Sequence, residues 1–340
     1  MNKNTHKPTD KAKTKTKRWK IIIPVAIAVV LAISLLGLYL FLNRGAVTLR
    51  TLTVDDDGTA NFSTIEEAIN AANPGDTIQV ASGTYNESYI EIKKALTLSG
   101  ENKNTTIIDG KGLTGAVIAI KANNVNISGF TIRNAAWGTA GIYMGDALGC
   151  VIRNTIIASN VGGYGISLFR SSNNNVSDNI ITSNERGIDF SYSSNNIVHN
   201  NTISNNVDGI YLSYDSTHNT FTANTMVNNS YRGFYCYSFY GEKPCGNNTL
   251  IGNTIADSER GVHLESSNNN TIYHNNFINN TIQVMLMDST NSWDNGYPSG
   301  GNYWSEHTCI GNPSDGSHPY TIDADDIDRY PFQDPNGWSS

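Results

Sequence analysis

The chain has 340 residues, 39% of them hydrophobic and 16% charged, with a formal net charge of −7. The charge is unevenly divided: residues 1–20 carry eight Lys/Arg against Asp10 alone, which leaves 15 basic and 29 acidic residues in the other 320. So acidic a body excludes nucleic acid as the partner, because phosphate binding needs a basic surface, and the four cysteines show no Cys-x-x-Cys spacing that would make a zinc site.

In chain order, residues 1–20 form a basic tail, and residues 21–42 form a run of 22 without a charge. At about 1.5 Å per residue such a run is long enough to cross a hydrocarbon core. All the early basic residues precede it, so the tail is expected in the cytoplasm and the remainder outside. No small-x-small site precedes Asn43, which favours an uncleaved signal-anchor helix over a signal peptide. Residues 43–50 are a linker. Ser63-Thr64-Ile65-Glu66 then reads as a capping box. Ile65, Ala68, Ile69 and Ala72 fall on one face of the helix behind it, which is expected to cover the N-terminal opening of the core built by the later residues. Irregular apolar runs occupy 77–80, 90–92, 96–98, 107–108 and 117–120.

A repeat begins near residue 141. A Gly-apolar-x-apolar phrase starts at Gly141, Gly165, Gly187, Gly209, Gly233 and Gly261, with spacings of 24, 22, 22, 24 and 28. Each copy is followed by an apolar-x-x-Asn-x-apolar phrase containing Asn154, Asn179, Asn201, Asn224, Asn253 or Asn275. Apolar residues alternate with period 2 over three or four positions between Gly, Asn and Ser turns, which is strand behaviour. Three short strands and three turns make one coil of a right-handed parallel β-helix, with coils stacked at about 4.8 Å. Leucine-rich repeats of similar length need a Leu-x-x-Leu-x-Leu core that is absent. The Asn residues are expected at left-handed corners and in ladders along the axis. The expected organisation is an all-β solenoid over 51–288, closed by an irregular C-terminal cap over 289–340. Cys236 and Cys245 flank a Gly-Glu-Lys-Pro turn and are the expected disulfide, which a compartment outside the cytoplasm permits.

The Gly-Ile-x-Leu and Asn-x-Ile phrases in such coils resemble the NosD-type β-helix, also called the carbohydrate-binding and sugar-hydrolase domain. The stretch from Val54-Asp55-Asp56-Asp57-Gly58 through Thr64-Ile65-Glu66-Glu67-Ala68-Ile69 to Gly83-Thr84-Tyr85 resembles the opening of pectin-lyase-like β-helices. Gly301-Asn302-Tyr303-Trp304-Ser305 and Asp325-Asp326-Ile327-Asp328-Arg329-Tyr330-Pro331 are similar to the tails of archaeal NosD-like surface proteins. The resemblance covers about residues 50 to 332. It implies the fold, but that fold hosts lyases, hydrolases, epimerases, esterases and adhesins, so it fixes no activity.

Alternation places Tyr143, Ser167, Asp189, Tyr211, Tyr235 and His263 in one outward column, and Phe169, Ser191, Ser213, Tyr237 and Glu265 in the next. Glycoside hydrolysis needs two carboxylates within about 5 to 9.5 Å, and Asp189 has no carboxylate neighbour in its column. His263 and Glu265, two residues apart on one face, are a candidate acid/base pair. With Asp189 they are the only candidates for a polysaccharide-active lyase, hydrolase or epimerase. Arg186, Asp208, Arg232 and Arg260 would stack as a charge ladder. Tyr211, Tyr235 and Tyr237 offer apolar faces with polar edges, which suit sugar rings. The NosD resemblance also implies copper delivery, which wants clustered His, Cys or Met; His263, Met285 and Met287 are the available donors. Asp323, Asp325, Asp326 and Asp328 are a candidate structural calcium site, and no other cofactor is required. The expected protein is a single-pass membrane protein that displays a β-helix outside the cell and binds glycans or envelope components.

Overall fold

A computed structural model describes residues 33–35, 49–238 and 243–339. Residues 33–35 are helical; otherwise the expected cytoplasmic tail, the span at 21–42 and residues 43–48 lie outside the described residues. No helix among the described residues is long and apolar enough to cross a membrane.

From Leu49 onward the chain winds into a right-handed parallel β-solenoid of about 10 turns. Three parallel sheets run its length: ten strands from Thr51–Val54 to Thr271–Tyr273, ten from Gly83–Tyr85 to Tyr303–Trp304, and nine from Ile90–Ile92 to Ile282–Met287. The third sheet holds the six-residue strands Ala140–Gly145, Tyr164–Phe169, Arg186–Ser191, Asp208–Ser213, Arg232–Tyr237, Arg260–Glu265 and Ile282–Met287. It is called the long-strand sheet below.

Period-2 alternation directs one side chain in two into the solenoid, and like residues meet on successive coils. Ile142, Ile166, Ile188, Ile210, Phe234 and Val262 form one fully buried stack, and Ile152, Val176, Val198, Phe221, Leu250 and Ile272 form another. Each such side chain contributes roughly 1.5–3 kcal/mol by leaving water. The repeated glycines admit the neighbouring coil: a Cβ at Gly187 would lie 2.5 Å from the Gly209 carbonyl oxygen, and one at Gly209 would lie 2.4 Å from that of Gly233.

Three Asn ladders line the corners. One runs Asn174, Asn196, Asn219, Asn248, Asn270, Asn291; a second runs Asn179, Asn201, Asn224, Asn253, Asn275, Asn302; a third runs Asn160, Asn184, Asn206, Asn229. Each amide oxygen accepts from the backbone N–H of the preceding rung, which satisfies buried donors that no strand partner reaches. The sequence pattern is corrected in two respects. Thr155, not Asn154, takes the first rung of the second ladder, donating to Asn179 Oδ1. Except before the last rungs, Asn291 and Asn302, the left-handed corner is held by the residue before the ladder Asn, as at Asp178 (φ 59°), Asn200 (φ 54°) and Ala223 (φ 53°).

The helix α1 (Ile65–Ala71) closes the N-terminal end by burying Ile65, Ala68 and Ile69. Its cap is Thr64, one residue later than the capping-box reading, and Glu87 supplies a carboxylate to the Ile65 and Glu66 N–H groups in place of a helix residue. At the other end Trp293 and Trp304 are buried over Phe277, with the Trp304 ring stacked 4.3 Å from it. Cys236 and Cys245 are joined by a disulfide; Cys150 and Cys309 are free and buried.

Candidate functional site

The long-strand sheet aligns its outward side chains in strict register. Tyr143, Ser167, Asp189, Tyr211, Tyr235, His263 and Met285 are successive partners. Tyr164, Arg186, Asp208, Arg232 and Arg260 form a flanking column, and Phe169, Ser191, Ser213, Tyr237, Glu265 and Met287 form another.

These columns do not stand open to solvent as alternation alone predicts. Only 4% of Asp189, 8% of Tyr211, 6% of Tyr235 and 4% of His263 is exposed, because long neighbours fold over them. Arg186 donates to Asp189 at 2.6 Å and lies 3.4 Å over the Tyr211 ring. Arg232 donates to both oxygens of Asp208 at 2.7 and 3.3 Å and lies 3.7 Å over the Tyr235 ring. A guanidinium is attracted to an aromatic face, so these rings are already covered by cations. The charge ladder therefore exists, but Arg186 bonds Asp189 on its own strand rather than Asp208 on the next. Burial pushes the Asp189 and Asp208 carboxyls upward, and the neighbouring guanidiniums pull them back.

The catalytic candidates are not brought together. Asp189 and His263 are three rungs apart, roughly 14 Å at the spacing of paired strands. Glu265 accepts from the Tyr235 hydroxyl at 2.9 Å, and the Nε2 of His263 has no partner, so no His263–Glu265 pair forms. Burial, with Arg260 and Arg232 nearby, lowers the His263 imidazole to about 4 and leaves it neutral at pH 7.

The aspartates of the tail correct the calcium expectation. Asp326 accepts from Asn291 N and Trp293 Nε1, while Asp328 accepts from Asn302 N and Trp304 Nε1. Asp323 accepts from the Asp325 and Asp326 N–H groups. The carboxylates diverge toward these donors, and among the described residues no group of three or more His, Cys, Asp or Glu is placed to hold a metal ion.

The open part of this face lies at its N-terminal end. A cleft of about 400 Å³ is lined there by Tyr89, Tyr143 and Tyr164 around Ala116, Ala119 and Ala140. Lys121 lies beside it, donating to the Tyr89 hydroxyl at 3.1 Å and pairing with Glu91 at 2.6 Å. The Glu91 contact raises the Lys121 ammonium further and fixes its charge. Tyr89 is 45% exposed, and Trp137, next in the chain to the cleft residue Gly138, is 82% exposed. Rings around a small-residue base with a few convergent polar groups are the usual make-up of a small-molecule pocket. Tyr143 was legible as an outward residue. Tyr89, Lys121 and Trp137 were missed because they sit in coils without the regular phrase; the signal that marks the cleft is the run of Ala and Gly at 116, 119, 138 and 140.

Among solved structures the chain is similar to the A-module of mannuronan C-5 epimerase AlgE6 from Azotobacter vinelandii (TM-score 0.55, 17% identity, 67% of this chain and 69% of that one). It is also similar to XylC in complex with xylose (TM-score 0.56, 10% identity, 83% and 73%). At these identities the likeness is one of fold. A stretch of 98 residues is 39% identical to a cell surface glycoprotein of Methanothermus fervidus, covering 28% of this chain and 16% of that protein's length. The sequence model of a family described as "Periplasmic copper-binding protein (NosD)" matches residues 69–309. Copper does not fit the donors seen here. The unpartnered His263 Nε2 has Met285 on the next rung, but Arg260 lies 3.4 Å from the same imidazole and Arg232 adds a second positive charge, which disfavours a cation. The repeat, the solenoid and the span of the match agree, and the chain belongs to the NosD family.

Proposed function

We propose that this protein is a cell-envelope β-helix that binds carbohydrate on the outward face of its long-strand sheet, with residues 21–42 as its membrane anchor. The observation that carries the binding reading is the cleft formed by Tyr89, Tyr143 and Tyr164 over alanines, with Lys121 at its side. A pyranose presents an apolar face and a rim of hydroxyls, which matches tyrosine rings edged by a phenol and an ammonium. The relative named as a cell surface glycoprotein, and the fold neighbours named for mannuronan and xylose, are in keeping with this reading. Tyr237, stacked on Tyr235, extends the face beyond the cleft, whereas Tyr211 and Tyr235 there seat Arg186 and Arg232.

The test is glycan-array binding followed by calorimetry on the full-length protein. Tyr143→Ala and Tyr164→Ala are each expected to weaken the best glycan about tenfold, equivalent to about 1.4 kcal/mol. Tyr192→Ala removes a ring stacked on Tyr214 away from the cleft and is expected to leave binding unchanged. Equal affinity for all three variants would remove the cleft from the account.

A further inference from the structure

The chain carries ten Asn-x-Ser/Thr sequons, the acceptor motif for N-linked glycans. With 45 Asn in 340 residues that number is reached by composition alone, so the fold decides which sequons can act. An acceptor has to present its amide, and the hydroxyl two residues later, to solvent together and free of the sheets. Asn126 and Asn175 lie inside strands. Asn61 accepts from Thr53, and Asn200 donates to Asp178 at 2.7 Å. Thr106, the hydroxyl residue of Asn104, is fully buried, and those of Asn86, Asn247 and Asn269 are half-buried.

Asn228-Asn229-Ser230 and Asn279-Asn280-Thr281 meet every condition. Both span the corner that leads from the second sheet into the long-strand sheet, outside any strand. Asn228 (φ 54°) and Asn279 (φ 52°) take its left-handed position and are exposed, as are Ser230 and Thr281. No hydrogen bond holds either acceptor amide among the described residues. The middle residue anchors each corner from inside: Asn229 accepts from Asn206 N–H and Asn280 from Ser258 N–H, each at 3.1 Å. We propose that Asn228 and Asn279 carry N-linked glycans. The Cys236–Cys245 disulfide and the NosD match are in keeping with the compartment outside the cytoplasm that this requires. The donor is a glycan held as the phosphate or diphosphate ester of a lipid. The Asn Nδ2 bonds to the anomeric carbon while that carbon's bond to the phosphate oxygen breaks. The lipid phosphate leaves with the bonding pair, and Nδ2 gives up one proton. The two acceptors are two rungs apart, roughly 10 Å, with Asp257 at the bare corner between them. The strand after Asn228 lies four rungs from Tyr143, roughly 19 Å along the axis, so both glycans leave the tyrosine cleft open.

The experiment is glycopeptide mass spectrometry on the full-length protein isolated from its native cells, beside Ser230→Ala and Thr281→Ala variants made in the same cells. Each substitution removes an exposed hydroxyl that no described residue bonds, and leaves the buried ladder amide in place. Wild type is expected to carry glycan mass on Asn228 and Asn279, with the peptides containing Asn126 and Asn175 unmodified. Ser230→Ala is expected to lose the glycan from Asn228 alone, and Thr281→Ala from Asn279 alone. Bare Asn228 and Asn279 in wild type would overturn the proposal. So would a glycan retained beside either substituted hydroxyl, or one carried on Asn126 or Asn175 in place of the corners. None of these results depends on whether the cleft binds carbohydrate.

Discussion

Asn201→Ala removes one rung from the middle of the longest Asn ladder. The Asn201 Oδ1 accepts from Asn179 N and Nδ2, each at 3.0 Å. Its Nδ2 donates to Val176 O at 2.8 Å, to His199 O at 3.0 Å and to Asn224 Oδ1 at 3.0 Å. Asn224 Oδ1 keeps the bond from Asn201 N, so the group left without an acceptor is the buried backbone N–H of Asn179. That orphan costs about 1–3 kcal/mol and each remaining lost bond about 1 kcal/mol, giving roughly 3–5 kcal/mol for the substitution. Equilibrium urea unfolding of the full-length protein reads this out, with an unchanged denaturant slope as the check that a single cooperative unit is being compared. The control is Asn200→Gly next door: Asn200 is an exposed left-handed corner at φ 54° whose side chain bonds only Asp178, and glycine adopts that conformation freely, so a change within about 0.5 kcal/mol is expected. An Asn201→Ala protein within about 0.5 kcal/mol of wild type would refute the claim that the ladders hold the corners.

The two ends of the solenoid should respond to pH in opposite directions. Burial pushes Asp328 up to about 7, so the folded tail holds a proton that the unfolded chain gives up near 4. Its stabilisation is complete below about pH 4 and is lost as pH rises through about 7, a span of roughly 4 kcal/mol. Asp76 is pulled down to about 2 by the Arg50 and Asn73 N–H groups and the Arg50 guanidinium, so its contribution is complete above about pH 4 and is lost as pH falls toward 2. Hydrogen exchange at Asn302 and Tyr330, compared with Arg50 and Asn73, separates the ends; the same direction at both would contradict these assignments. Asp208→Ala leaves the Arg232 guanidinium, in a side chain only 13% exposed, without its two bonds, and is expected to cost about 3–5 kcal/mol in thermal unfolding. A loss below about 1 kcal/mol would show that the ring faces alone hold Arg232 in place.

The solenoid was legible because its repeat is written in residues with single physical uses: glycine where an added Cβ would lie only 2.4–3.0 Å from the next coil's carbonyl oxygen, and isoleucine where a coil stacks on its neighbour. Asn was legible as a ladder residue but not in its exact place. The left-handed corner falls one residue earlier, and Thr155 substitutes in the first rung, since a hydroxyl fills the same donor role. Side-chain direction was legible in the long-strand sheet, but exposure was not. Alternation says that Tyr211 and Tyr235 point outward, and it says nothing of Arg186 on the preceding rung or Arg232 three residues back, which fold over them. The cleft escaped because Tyr89 and Lys121 come from early coils where the phrase is absent and meet Tyr143 only through the winding of the chain. The tail aspartates read as an ion site because their spacing is tight; the Trp293 and Trp304 indoles that claim them lie more than twenty residues away.

The most direct test of the carbohydrate account is diffraction from crystals of the protein grown with an oligosaccharide selected on the array. The account predicts pyranose density against the rings of Tyr143 and Tyr164, with the chain lying on the long-strand sheet. Density on either of the other two sheets, with the tyrosine cleft left to solvent, would contradict it.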